Sequence, residues 1–546
     1  MPIDVSRGRH VGLLIPLFSL PSSSSWGIGE IPDIPLVARW LQHGGQNLLQ
    51  MLPINEMAPG QKSPYSAITA MAIDPIFIGL REVEDFLALG GENSLDAAAR
   101  ETLSAARAAA VVDYDRVRAV KHAALRRAFE RFRREQFDRR SARAEALHAY
   151  LDEQRWWLDD YAVFRALHAR FDERPWTSWP QELTAREPRA IERVRTDLAG
   201  EILFYEYLQW QADLQWQAAR AQAPVALFGD LPFMVDLDSA DVWAHQDLFD
   251  LNASVGVPPD AFSPTGQNWG LPAYRWDVMA ARGDAWLRER ARRNAALYDG
   301  YRIDHLVGFY RTYLIPRDGS KPCFRPSEQP EQQALGDRVL GVFRGEGSRI
   351  TAEDLGTVPD FVRASLVRLG IAGYRVLRWE REWHEPGQPF RDPLAYPAIS
   401  VATSGTHDTE PMAAWWDSAP PEERAAVGRI PMLRSIVGAC DFSTARFTPA
   451  LRDALLEVLF ASGSDLLILP VQDVFGWRSR INVPATVSDE NWTYRLPWPA
   501  DTLDSQPEAR ERARRLREWA GRHGRLQAPG SRLRHGAEAR NREPEA

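Results

Sequence analysis

The chain reads as an α/β protein: a closed (β/α)8 TIM barrel with helical and loop insertions over the C-terminal face of its strands. Three observations predict this. Eight short apolar runs recur along the 546 residues, separated by helix-length segments. Three of the later runs, Tyr301-Arg302-Ile303-Asp304-His305, Ile350-Thr351-Ala352-Glu353-Asp354 and Ser404-Gly405-Thr406-His407-Asp408, end on an acid and pass into turn or polar residues. No GxGxxG follows a strand and no P-loop is present; Gly341, Gly345 and Gly347 have the wrong spacing. An open doubly wound sheet is therefore the second choice.

Residues 11–18 supply the first strand and Gln46–Ile54 the second, after a helical pattern over Ile34–Gln42. Pro224–Phe233 is the third, carrying Asp230. Tyr301–Leu306, Arg349–Leu355, Ala372–Trp379, Ala398–Asp408 and Leu466–Val474 follow as the fourth to the eighth. Residues 1–74 thus hold strands one and two, and 224–525 hold strands three to eight.

Two connections are too long for a simple barrel. Residues 75–223 carry Val117, Val120, Ala124, Ala128 and Phe132, then Trp157, Tyr161, Phe164, Leu167 and Phe171, both at helical spacing, and predict a mainly helical insertion. Residues 234–298 are rich in Pro, Gly and Trp, a composition that argues against regular helix. Loops of that length inside a compact domain are usually functional. Both insertions follow strand ends, so they rise over the face where barrel enzymes place their sites. A charged helix is expected over Pro507–Trp519, and residues 526–546 read as a disordered tail.

Composition narrows the function. A formal net charge of −8 argues against a polyanion-binding surface but not against a neutral ligand such as sugar. The Arg-rich run 510–517 alternates with Glu and reads as a solvated helix face, so no nucleic-acid partner is expected. Cys323 and Cys440 are far apart, which fits a reducing compartment and excludes a cysteine zinc site. The run from Arg7 to Phe18 imitates a secretory leader, but Pro16 splits it and no cleavage motif follows. No run is long enough for a membrane span, so a cytoplasmic protein is expected. Twenty Trp residues fit core packing first, and also the stacking of aromatic faces on pyranose rings.

Alternation assigns roles to the acids. Side chains two apart on a strand share a face, so Arg302 and Asp304 project together. A fixed cation beside a carboxylate keeps it ionised, as a nucleophile must be. Glu353 shares a face with Thr351, whereas Asp354 points away and reads as structural. In an apolar wall Glu353 rises in pKa, which suits a general acid. The alternatives stay in view: a single acid at a strand end is more often a turn or cap residue, and Asp304 with Arg302 could be a structural ion pair. His305 and His407, each beside an acid, could instead mark a metal site.

Further segments join these strands in order: Trp26-Gly27-Ile28-Gly29, Ser63-Pro64-Tyr65-Ser66, Phe228-Gly229-Asp230-Leu231-Pro232, Val257-Pro258-Pro259-Asp260, Gly266-Gln267, Trp269-Gly270 with Pro272, and Asn482. Together they resemble the 4-α-glucanotransferases, the amylomaltase or disproportionating-enzyme family, over most of the chain. The resemblance implies Asp304 as nucleophile, Glu353 as acid/base and Asp408 as the third carboxylate, which binds sugar hydroxyls. It implies Arg302, His305 and His407 as flanking ligands and Tyr65, Asp230, Trp269 and Asn482 as substrate contacts, Asp230 being balanced between site and scaffold. Departures at Asn268, Leu271, Val483 and Ala485 bear on acceptor preference and glucan length rather than on the chemistry.

The implied reaction is retaining transfer of α-1,4-glucan segments between maltodextrin chains through a glucosyl-aspartate, with the two carboxyls ~5–5.5 Å apart. Maltooligosaccharides and α-glucans are then donor and acceptor, and no metal or cofactor is called for. An amylase-type hydrolase is the alternative, distinguished by whether water or a sugar hydroxyl accepts the glucosyl group.

Overall fold

A computed structural model describes residues 8–259 and 265–526. Twelve strands occur among the described residues. Eight close into a parallel barrel in the order β1-β12-β11-β10-β9-β6-β3-β2. These are β1 (His10–Leu14), β2 (Leu48–Gln50), β3 (Ala226–Leu231), β6 (Gly300–Ile303), β9 (Arg349–Ala352), β10 (Ala372–Val376), β11 (Ser400–Thr403) and β12 (Leu466–Pro470). Each coincides with one of the eight predicted runs. They read as unbroken apolar stretches because a parallel strand in a barrel is covered on both faces, and β1, β3 and β12 are buried along their whole length.

The strands are shorter than predicted, and the difference places the acids. β6 and β9 stop at Ile303 and Ala352, and β11 stops at Thr403. Asp304 and Glu353 therefore stand on the first residue past their strands, each extending the ladder by one bond: Asp304 N–H to Leu231 O and Glu353 N–H to Ile303 O, both 3.0 Å. Asp408 is not on a strand end. It lies in the loop 404–411 that leads into the helix Met412–Ser418. Apolarity at 404–408 is too slight to hold the chain in the barrel wall, so the ladder ends first.

Residues 84–222 are mostly helical, with long helices at Tyr114–Phe132, Ala142–Arg170 and Ala199–Gln222. Val117, Val120, Ala124, Ala128 and Phe132 are all buried, as are Trp157, Tyr161, Phe164 and Leu167. Ion pairs to buried acids tie these helices to the barrel: Lys121 to Glu30 at 2.7 Å, Arg118 to Asp74 at 2.9 Å and Arg165 to Glu56 at 3.0 Å. Glu56 begins the loop that carries Tyr65, so the insertion braces a piece of the barrel mouth.

The segment 234–298 requires a correction. It holds two antiparallel strands, β4 (Phe249–Val257) and β5 (Gln267–Tyr274), and three α-helices, Ala240–Ala244, Trp276–Ala281 and Ala285–Leu297. Pro and Gly crowd its first half, while the second carries Trp286, Leu287, Ala291 and Leu297 at helical spacing on a buried face. β4 also pairs with β7 (Thr312–Pro316), and β7 with β8 (Cys323–Arg325), completing a four-stranded sheet β5-β4-β7-β8 beside the barrel mouth. That second sheet was not anticipated.

Pro507–Arg522 is helical and buries Leu516 and Trp519. Apart from Leu526, the tail expected to be disordered lies outside the described residues, as does Asp260. Among the described residues no helix is long and apolar enough to cross a membrane.

Candidate active site

Barrel register brings the first group together. Asp230 pairs in register with Arg302, and Arg302 with Thr351, so three neighbouring strands present these residues at one level. Arg302 Nη1 donates to both oxygens of Asp230, at 2.8 and 2.7 Å. Its Nη2 lies 2.7 Å from Asp304 Oδ1. One buried guanidinium thus serves two carboxylates, a task its planar fork of donors suits and an ammonium could not match. Tyr65 OH donates to the same Asp230 at 2.8 Å.

Glu353 comes next round the barrel. Its Oε2 accepts from the backbone N–H of His305 at 2.9 Å and its Oε1 from that of Leu355 at 3.2 Å. His305 sits at φ 41°, the left-handed region, which turns the chain sharply after Asp304 and aims that N–H at Glu353. Burial pushes the Glu353 carboxyl up to about 7, Arg302 opposes this, and the nearby Asp304 adds to it. The direction is the one expected, but the wall is not purely apolar: a cation and a second acid stand within it. Burial likewise raises Asp230, to about 6, against the pull of Arg302.

Asp354 points the other way, as alternation requires. It accepts from Tyr374 N–H at 2.6 Å and lies 3.3 Å from Arg375. A Cβ at Gly373 would come within 2.4 Å of its Oδ2, so β10 approaches here closely enough to demand glycine.

The third acid is held from several sides. Asn482 Nδ2 donates to Asp408 Oδ1 at 2.6 Å, and His407 Nε2 lies 3.3 Å from Oδ2. Arg480 Nη2 donates to the Asp408 carbonyl at 2.7 Å. Burial works to raise Asp408, but the His407 charge and the hydrogen bonds from His407 and Asn482 outweigh it and hold the carboxyl below its ordinary value. Burial works to lower His407, and Asp408 overcomes it, so the imidazole is raised. His407 stacks on Tyr65 with centroids 5.3 Å apart and planes at 19°, and Trp492 packs on both rings at 5.7 Å.

His305 lies against Trp269, edge to face at 4.8 Å, and against Phe233 at 5.6 Å. Burial lowers its pKa to about 4, so it is a neutral imidazole under a tryptophan. Trp269 belongs to β5, so the sheet beside the barrel reaches over the acids at this point.

Asp304, Glu353 and Asp408 therefore converge at one mouth. Tyr65 feels the charges of Asp230, Asp304 and Asp408 together, and Glu353 that of Asp304. Asp304, Glu353 and Asp408 are half-buried, so each keeps a route to solvent. All ten residues singled out in the sequence lie in this cluster. Trp492 and Arg480 belong to it as well and were not singled out. Both stand in the polar run after the eighth strand, and nothing local distinguishes them from the other Arg and Trp residues there.

A family model described as 4-alpha-glucanotransferase matches residues 15–501. The 4-alpha-glucanotransferase of Thermus thermophilus is 33% identical over 503 residues, covering 89% of this chain and 95% of that one. That of Chlamydia pneumoniae is 32% identical over 500 residues, covering 89% and 91%. Among solved structures, the amylomaltase from Streptococcus agalactiae in complex with acarbose superposes with a TM-score of 0.79 at 26% identity, covering 95% of this chain and 100% of that chain.

Proposed function

On the premise that this chain belongs to the 4-alpha-glucanotransferase family and transfers α-1,4-glucan segments, we propose that Asp304 is its nucleophile, Glu353 its acid/base and Asp408 its third carboxylate. The observation that carries this reading is the contrast between the first two. Asp304 is held against a permanent cation at 2.7 Å, while the neighbouring Glu353 is pushed up to about 7 by burial. One carboxyl braced by a cation and its neighbour raised by burial are the unlike pair that a nucleophile and a proton donor need.

In the first step Asp304 Oδ attacks the anomeric carbon of the donor. The glycosidic C–O bond breaks, and Glu353 gives its proton to the departing 4-oxygen. A glucosyl-aspartate results. In the second step Glu353, now a carboxylate, takes the proton from an acceptor 4-hydroxyl. That oxygen attacks the same carbon and releases Asp304. Two displacements at one carbon retain the α configuration. Asp408, held ionised by His407 and Asn482, accepts hydrogen bonds from sugar hydroxyls and offsets positive charge developing on the ring.

Arg302 and Asp230 keep the nucleophile oriented, and Tyr65, His305, His407, Trp269 and Asn482 line the sugar site. Maltooligosaccharides and longer α-glucans serve as donor and acceptor. The Trp269 side of the second sheet covers the mouth and favours a sugar hydroxyl over water in the second step. The unpaired thiols Cys323 and Cys440 support placement in a reducing, cytoplasmic compartment.

Incubation with maltotriose tests the reaction. Transfer yields glucose together with chains longer than the starting sugar. Maltose and glucose alone would mean hydrolysis and overturn it.

A further inference from the structure

The loop 404–411 bears two site residues, His407 and Asp408, yet it lies outside the barrel wall and must be held by something other than the strand ladder. Internally it is a compact turn. Thr403 Oγ1 donates to Gly405 O at 2.6 Å, and Thr406 N–H donates to Thr409 Oγ1 at 2.9 Å, which donates back to Thr406 O at 3.0 Å. A Cβ at Gly405 would meet Thr409 Oγ1 at 2.3 Å, so the turn has no slack. Such a turn moves as a unit, and its placement depends on its two ends.

Both ends meet one side chain. Asp473, in the short helix Val471–Phe475 that follows β12, is 1% exposed. Its Oδ2 accepts from Ser404 Oγ at 2.5 Å and its Oδ1 from Met412 N–H at 2.6 Å. Met412 is the first residue of its helix, and the residue before it is Pro411, which has no side-chain acceptor with which to cap. The orphan N–H at that helix start is satisfied from another element. Both bonds are short, as carboxylate acceptors give. Pro411, Thr406 and His407 border a small pocket whose other wall is Gln472, Asp473 and Ile481.

We propose that Asp473 is a positioning residue for the transfer reaction, clamping both ends of the loop 404–411 so that Asp408 and His407 meet the sugar in register. Its bonds go to the loop ends and not to the sugar, so it acts through Asp408. Arg378 and Arg480 assist by donating to the Glu410 and Asp408 carbonyls, each at 2.7 Å. The inference rests on the role given above to Asp408, and the experiment separates the two.

Four variants decide it, each assayed with maltotriose for kcat and KM and each checked for its thermal midpoint: D408N, D473A, D473N and S404A. Displacement of Asp408 by about 1 Å lowers kcat roughly a hundredfold in D473A, with KM changed less than about threefold. D473N restores both bonds, since its oxygen accepts from Met412 and its amide donates to Ser404 Oγ, and it returns kcat to within about tenfold of the parent. S404A releases one end and falls between. The proposal is overturned if D473N is as impaired as D473A, or if D473A loses only the activity expected from its unfolded fraction. Should D473A fail to fold, S404A decides: a kcat equal to the parent's overturns the clamp, and a fall at unchanged KM supports it. D408N as active as the parent would instead sink the reading of Asp408 itself.

Discussion

Asp304 Oδ1 lies 2.7 Å from Arg302 Nη2, and the other arm of the same guanidinium forks onto Asp230. The proposed nucleophile is thereby held by a residue two positions earlier, near the end of β6, which is itself held by the neighbouring strand. The arrangement couples catalysis to barrel register, because Asp230 can reach Arg302 only if β3 and β6 pair as they do.

Arg302→Lys should accordingly lower kcat by about two orders of magnitude although the charge is kept, because one ammonium cannot hold both carboxylates in plane. Arg302→Ala should also destabilise the fold by about 3–5 kcal/mol, since it leaves Asp230 buried without its cation. Rates on maltotriose and thermal or urea unfolding measure the two effects. A fully active R302K would show that Asp304 needs no orientation.

Asp304→Asn should abolish transfer, with a fall of at least about a thousandfold in kcat, because an amide cannot form the glucosyl ester. Maltodextrin binding, measured by calorimetry, should stay within a few fold of the parent. Intact turnover would mean that another group attacks the sugar.

Glu353, as the proposed acid, should set the alkaline limb. As the acid it must carry a proton, and burial keeps that proton on until about pH 7, so kcat/KM should fall tenfold per pH unit above that value. Its folded pKa is raised from an ordinary 4.5, so it favours the fold fully below about 4.5 and loses that contribution as pH rises through about 7. Glu353→Gln should remove the alkaline limb together with most of the rate, and should flatten the thermal midpoint across this window. An alkaline limb unchanged in the residual activity of E353Q would assign it to another group.

Asn482→Asp places a second carboxylate where an amide now donates to Asp408 at 2.6 Å. The sign follows from the lost donor and the added like charge: both raise the Asp408 pKa from its present depressed position. The acid limb of kcat/KM should move to higher pH, with activity near neutrality reduced. A pH profile identical to the parent's would show that Asp408 need not be ionised.

Trp269→Ala should raise the share of hydrolysis, read as glucose released without matching growth of longer chains, because the ring over His305 helps to exclude water. An unchanged product pattern would place the water barrier elsewhere.

Much of this was legible in the chain. Eight apolar runs predicted eight barrel strands because parallel strands covered on both faces must be apolar throughout, a local property. Arg302 and Asp304 were paired correctly because alternation along one strand needs no knowledge of its neighbours, and the same rule turned Asp354 away from the site. What the tertiary structure alone decided involves partners far apart in sequence. Asp230 meets Arg302 because register across a closed barrel is set by the whole ring. Trp492, Arg480 and Asp473 reach the Asp408 loop because the chain after β12 folds back over it, and no spacing records that. The sheet β5-β4-β7-β8 went unseen because antiparallel pairing across turns rich in Pro and Gly leaves little periodic signal. The rise in Glu353 depends on solvent excluded by residues from several strands, so its proton belongs to the folded barrel rather than to the sequence around it.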